Sequence, residues 1–161
     1  MQAFIQLPNT TDRVDLYAAL LPQTTALLQG ERDPIANMAN MTAVLRAAFG
    51  WHWVGFYRVV GDELVLGPFQ GPVACTRIAF GKGVCGTAWK EKRTIVVEDV
   101  DAFPGHIACS SLSRSEIVVP VFNSEGHVAA VLDVDSDQLA EFGPNDAQAL
   151  EALCELLRPI S

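Results

Sequence analysis

The apolar residues change their period at Trp51, and this change restricts the fold more than any other feature of the chain. Before it, Ile35, Met38, Met41, Leu45 and Phe49 recur at the spacing of a helix face. After it, Trp51, Trp53, Gly55 and Tyr57 alternate with His52, Val54 and Phe56, which is the period of a strand. The alternation predicts that the first set shares one sheet face and the second set the other. Asp33-Pro34 supplies an N-cap followed by proline at the first helical position, and Gly50 supplies the stop. An earlier helical region spans residues 11 to about 29, where Pro22 is expected to kink or divide it.

The alternating part reads as a series of short strands. Gly61-Asp62 is a turn, and Glu63-Leu64-Val65-Leu66 is the returning arm of a hairpin. Residues 68–72 read as a loop, and a third strand over about 75–80 is opened by Cys75. Gly81-Lys82-Gly83-Val84-Cys85-Gly86 is a glycine-rich turn into a short helix over about 84–91. A strand at 94–97 and an irregular stretch over about 99–115 follow. Two further strands, at 117–122 and 128–134, flank the turn Asn123-Ser124-Glu125-Gly126. Gly143-Pro144 starts a last helix with Leu150, Leu153, Cys154 and Leu157 on one face. Hairpin-length links at both ends imply an antiparallel sheet with helices on one side, an α+β layering. The expectation is one domain over 1–161, with two helices to about 50, a sheet core over about 51–136 and a C-terminal helix over about 144–160.

Charge and segment patterns exclude several classes of function. A net charge of −8, with eleven scattered Lys and Arg, argues against a nucleic-acid partner. No apolar run approaches the ~20 residues that cross a bilayer. The start Met1-Gln2-Ala3-Phe4-Ile5-Gln6 lacks the basic and apolar parts of a signal peptide, so a soluble, cytoplasmic protein is expected. In a reducing cytosol the four cysteines, Cys75, Cys85, Cys109 and Cys154, are better suited to chemistry or core packing than to structural disulfides.

Cys109 lies in Phe103-Pro104-Gly105-His106-Ile107-Ala108-Cys109-Ser110-Ser111, a long irregular connection of the kind that carries function. His106 and Arg114 are close enough in sequence to support a thiolate there. Cys85 follows the Gly-Lys-Gly turn at a helix start, where free amides favour either a thiolate or a bound anion. Cys154 reads as core. Metal-ligand pairs such as Cys-x-x-Cys are absent, so no metal is expected. Asp133 and Asp135 point to one face of an apolar strand, and Glu116 opens the strand before it. They form either a buried acidic group that needs a cation or a solvated strand end beside Ser136-Asp137. Trp53 and Tyr57 share a strand face and suit either core packing or contact with a sulfur-bearing methyl group.

Several longer motifs carry a family resemblance. Leu66-Gly67-Pro68-Phe69-Gln70-Gly71, Phe80-Gly81-Lys82-Gly83-Val84-Cys85-Gly86-Thr87-Ala88 and Phe103-Pro104-Gly105-His106-Ile107-Ala108-Cys109 occur in order. Ser113-Arg114-Ser115-Glu116-Ile117-Val118-Val119-Pro120 and Leu132-Asp133-Val134-Asp135-Ser136 follow them. Over about residues 53–146 the chain resembles the free methionine-(R)-sulfoxide reductases, which are GAF-domain enzymes. The resemblance implies a single GAF domain with a six-stranded antiparallel sheet flanked by helices, a homodimer, and free methionine (R)-sulfoxide as substrate. It implies that Cys109 is catalytic and that Cys75 and Cys85 take part in disulfide exchange, with Cys75 favoured to resolve the sulfenic acid. Glu116, Asp133 and Asp135 match the substrate-pocket carboxylates, and Trp53 and Tyr57 match its aromatic side. No cofactor is implied, and thioredoxin is the implied reductant. Two other readings remain open: a GAF module that senses a small ligand, and a redox-sensing thiol protein without a substrate.

Overall fold

The computed structural model describes residues 4–109 and 111–159. Met1 to Ala3 of the expected leaderless start, Ser110 of the long connection and residue 160 of the expected last helix lie outside the described residues. Helix α1 covers Arg13–Leu28, capped by the Asp12 side chain on Val14 N. It runs through Pro22 as one helix, so the expected division does not occur. Helix α2, Pro34–Phe49, is capped by Asp33 and ends on Gly50 at φ 63°, as the sequence signals require.

Strands β1 (Trp53–Val60), β2 (Glu63–Gln70) and β3 (Arg77–Ala79) follow. Helix α3 (Gly83–Glu91), strand β4 (Ile95–Val97) and a 3-10 turn at Val100–Ala102 come next. Strands β5 (Ser115–Phe122) and β6 (Val128–Ser136) and helix α4 (Pro144–Glu155) complete the order. All pairings in the sheet are antiparallel, in the order β3-β2-β1-β6-β5-β4. Among the described residues no helix is long and apolar enough to cross a membrane.

Several other expectations are corrected. Residues 68–70 are strand and not loop, because β2 continues to Gln70. The β1–β2 register slips between Gly55 and Tyr57, so Gly67 and Pro68 together face Phe56. Such a bulge leaves a ladder position where proline's missing N–H costs little. Cys75 does not open a strand but sits in the loop before β3, which starts at Arg77. Trp51 does not share a face with Trp53, because β1 begins only at Trp53 and Trp51 turns into the other core.

Finally, the helices are not all on one side. Helices α1, α2 and α4 cover one face, where Leu45, Phe56, Ile117, Leu132 and Leu150 are fully buried together. Helix α3 covers the other, bringing Val84, Cys85 and Ala88 against Trp53, Tyr57 and Val118. The last helix also ends at Glu155, short of the expected 160.

Candidate active site

The cavity lies on the α3 face, where strands β1, β5 and β6 meet the two loops that carry Cys75 and Cys109. Sheet register builds its floor. Glu116 is opposite Asp135, Asp133 is opposite both Val118 and Gly55, and Trp53 is opposite Asp135. Directly opposed residues share a sheet face, so the three carboxyls and the indole converge without any loop being required. All of the expected substrate residues, Trp53, Tyr57, Glu116, Asp133 and Asp135, line this cavity, together with Cys85 and Cys109.

The carboxyl group is buried and acidic, not a solvated strand end. Asp133 is only 6% exposed, and its Oδ1 has no hydrogen-bond partner. Burial and the negative charge of Asp135 push Glu116 up to about 8. Burial first, and then Glu116 beside Asp133 and Asp133 beside Asp135, raise the two aspartates well above the usual carboxylate range. The basic side chains among the described lining residues are Lys82, which is exposed, and His106. The His106 Nε2 lies 3.6 Å from Glu116 Oε2, and burial lowers the imidazole pKa, which favours the neutral ring. A site with this much carboxylate and so little cation is arranged to receive positive charge.

Cys75 and Cys109, 34 residues apart in sequence, are joined by a disulfide with Cα atoms 5.5 Å apart. Cys85 is free and buried. The expectation that a helix start favours a Cys85 thiolate is overturned, since burial first and then Asp133 and Glu116 raise its pKa well above the ordinary thiol value. A single turn of helix dipole does not offset three neighbouring acids. Arg114 is exposed and does not line the cavity, so His106 is the expected thiol neighbour that reaches it. Cys154 is buried under α4 in the other core, as expected.

Some contributors carry a weak sequence signal or none. A Cβ at Gly55 would stand 2.3 Å from Trp53 Cη2 and 2.5 Å from Phe69 Cβ, so the indole lies where only glycine leaves room. A glycine inside a strand is the available clue. Phe69 stacks behind Trp53 at 5.3 Å between ring centroids. Gly83, at φ 62°, leaves space for Ile107, whose Cδ1 would be 3.0 Å from an added Cβ. The Gly-Lys-Gly turn therefore seats the Cys109 loop on the start of α3. Cys85 Sγ and carboxyl oxygens of Glu116 and Asp133 lie within 4.8 Å of one another, close enough for a metal ion. Their separation along the chain conceals that grouping, which the spacing of metal motifs does not detect.

Residues 37–158 match the GAF domain family. The chain belongs to that family and, within it, to the group of the free methionine-R-sulfoxide reductases. The free methionine-R-sulfoxide reductase of Escherichia coli (strain K12) is 41% identical over 92% of this chain and 90% of its own length. GAF domain-containing protein A of Dictyostelium discoideum is 56% identical over 88% of this chain and 89% of its own. The solved structure of free methionine-R-sulfoxide reductase from Neisseria meningitidis in complex with its substrate is 55% identical, with a TM-score of 0.93. That match covers 97% of this chain and 93% of the other.

Proposed function

We propose that this chain reduces free L-methionine (R)-S-oxide to L-methionine, with Cys109 as nucleophile and Cys75 as the resolving thiol. The observation that carries the reading is the meeting, in one cavity, of Cys109, disulfide-bonded to Cys75, with three buried carboxyls, of which Asp133 keeps an oxygen without a partner. The ammonium group of a free amino acid supplies a cation, with charge-assisted hydrogen bonds to Glu116, Asp133 and Asp135. Its carboxylate suits the first amides of α3 beside Lys82, at Gly83 and Val84, which line the same cavity. The S-methyl group rests against Trp53 and Tyr57. A methionine within a peptide has neither charged end, so it would leave the carboxyl cluster without its cation.

The Cys109 thiolate attacks the sulfoxide sulfur while the carboxyl cluster gives a proton to the sulfoxide oxygen. The oxygen then passes from the methionine sulfur to Cys109, and the transient S–S bond breaks with its electron pair returning to methionine. Carboxyls raised toward neutrality hold that proton at working pH. Methionine leaves and the oxygen remains on Cys109 as a sulfenic acid. The Cys75 thiol then attacks the Cys109 sulfur, the S–O bond breaks, and water leaves with the thiol proton. Thioredoxin-type dithiol exchange reopens the disulfide. The chain works as one GAF unit in a cytoplasmic homodimer, and the chemistry needs no cofactor.

Mixing fully reduced protein with a limited amount of each free sulfoxide epimer tests this reading. One methionine per oxide from the R epimer, with loss of two thiols, is expected, and Cys109→Ser should lower methionine release at least about a thousandfold. No methionine from either epimer overturns the reading.

A further inference from the structure

Two ring donors of the substrate wall also hold the backbone that carries Cys75. Trp53 Nε1 donates to Pro72 O at 3.0 Å, and Tyr57 Oη donates to Cys75 O at 2.8 Å. Both rings are buried, whereas Val73 between their two acceptors is 88% exposed. The segment pairs with no strand until Thr76 O accepts from Leu66 N at 2.9 Å. A third observation fixes the path of the chain before these bonds. At Gly71, φ 139°, an added Cβ would be 2.7 Å from Trp53 Cδ1 and 2.9 Å from His52 O. The loop therefore lies on the indole and is anchored by its N–H. It is then anchored again by the phenol at the residue that enters the disulfide.

We infer that Trp53 and Tyr57 are positioning residues for closure of the Cys75–Cys109 bond, in addition to walling the substrate pocket. The inference rests on the thiol chemistry proposed above and assigns its second step a set of residues. In that step the Cys75 sulfur is oxidised and the Cys109 sulfenic sulfur reduced, with water as the only product besides the disulfide. The step requires the two sulfurs to meet, and a loop without ladder bonds must otherwise lose backbone entropy to bring them together. Hydrogen bonds from two rings already fixed in the core reduce that loss. They also favour the disulfide form at equilibrium, because they hold the geometry that the bond requires.

The test separates the two steps. Reduced Tyr57→Phe protein, mixed with limiting R sulfoxide, is sampled for methionine released, thiols lost, and sulfenic acid trapped by a 1,3-dicarbonyl reagent. Disulfide closure is expected to slow by about fivefold relative to methionine release, the effect of one hydrogen bond of ordinary net strength. Trapped sulfenic acid should rise accordingly. In a glutathione redox buffer without substrate, the disulfide of Tyr57→Phe should be about fivefold easier to reduce, about 20 mV for a two-electron couple. Gly71→Ala, which keeps both donors but displaces the loop, should move both readouts the same way. A ring that serves only the substrate or the core would leave the ratio of the steps and the glutathione equilibrium unchanged, and that result in both variants overturns the inference. If the unaltered protein releases no methionine, the proposed function fails, and the glutathione equilibrium still decides the positioning role.

Discussion

The two faces of the sheet are fed by the same strands and end in opposite states of satisfaction. Along β6, Ala130, Leu132 and Val134 enter the core under α1, α2 and α4, while Val131 enters the α3-side core and Asp133 and Asp135 line the cavity there. Each face buries a carboxylate. On the helical side, Asp146 accepts from Tyr17 Oη at 2.8 Å and from Gly143 N at 2.9 Å, and Arg13 lies 3.3 Å away. On the cavity side, Asp133 keeps an oxygen without a partner and faces two more acids. A buried acid whose partners are all within the chain stabilises the fold, whereas one that lacks them is held for something that arrives. The difference separates a satisfied acid from one that is not, which burial alone does not, since Asp146 is 3% and Asp133 6% exposed.

Adjacent residues of β6 give the most demanding test. Leu132→Ala empties a fully buried position of the helical core and should cost about 2–5 kcal/mol of stability, with the folded protein still active. Asp133→Asn removes a buried acid that keeps one oxygen without a partner, so its stability should stay within about 1 kcal/mol of the parent or rise. Its affinity for free methionine sulfoxide should fall about tenfold to a hundredfold, the loss of one hydrogen bond to a charged group. Denaturant titration and single-turnover kinetics measure both quantities. If the stability loss fell on Asp133→Asn and the binding loss on Leu132→Ala, the division between faces would be wrong. Asp146→Asn comes next in size, at about 1–3 kcal/mol of stability with unchanged binding, because Tyr17 and Gly143 would face a weaker acceptor.

The pH dependence of stability sharpens the same contrast. Burial and Asp135 place Glu116 at about 8 in the native state, and Asp133 and Asp135 shift in the same direction. The unfolded chain releases these protons in the ordinary carboxyl range, so between that range and pH of about 8 the native state binds more protons. Stability is therefore greatest below this window and declines as pH rises through it. The coupled carboxyls titrate as one cluster, so the slope belongs to all three. Thermal melts of substrate-free protein should drop by roughly a few degrees from about pH 5 to about pH 8. Glu116→Gln should flatten that slope. An unchanged slope in this variant would place the titrating groups elsewhere.

The division between faces is partly legible in the sequence, because the period of two over residues 130–135 assigns alternate residues of β6 to opposite faces. Asp133 and Asp135 are placed together by that rule, and the β5–β6 register then brings Glu116 opposite Asp135. What alternation cannot reach lies at its interruptions. Pro68 reads as a loop residue because a bulge makes room for it in the ladder, and bulges have no period. Trp51 is assigned to the wrong face because two residues of irregular backbone precede Trp53. The meeting of Cys75 with Cys109 depends on two loops closing over the sheet, which no local pattern encodes. Cys85 is misjudged for a related reason. Its helix start is local, but the acids that oppose its ionisation come from β5 and β6.

The two free cysteines carry the comparison to its smallest effect. Cys154 lies in the helical core, where burial, followed by Glu151 and Glu155, raises its pKa and keeps the thiol protonated. Cys85 lies beneath the cavity with Asp133 beside it. Cys154→Ala removes one sulfur from a packed apolar cluster and should cost about 1 kcal/mol, with two thiols still lost per methionine formed. The same change at Cys85 alters the group that faces Asp133 and should raise the sulfoxide concentration needed for half-maximal rate. Thiol counts under limiting substrate, beside a KM measurement for each variant, distinguish the two. A change in thiol stoichiometry with Cys154→Ala would bring the helical core into the redox chemistry, and the separation of a stabilising face from a reactive one would no longer hold.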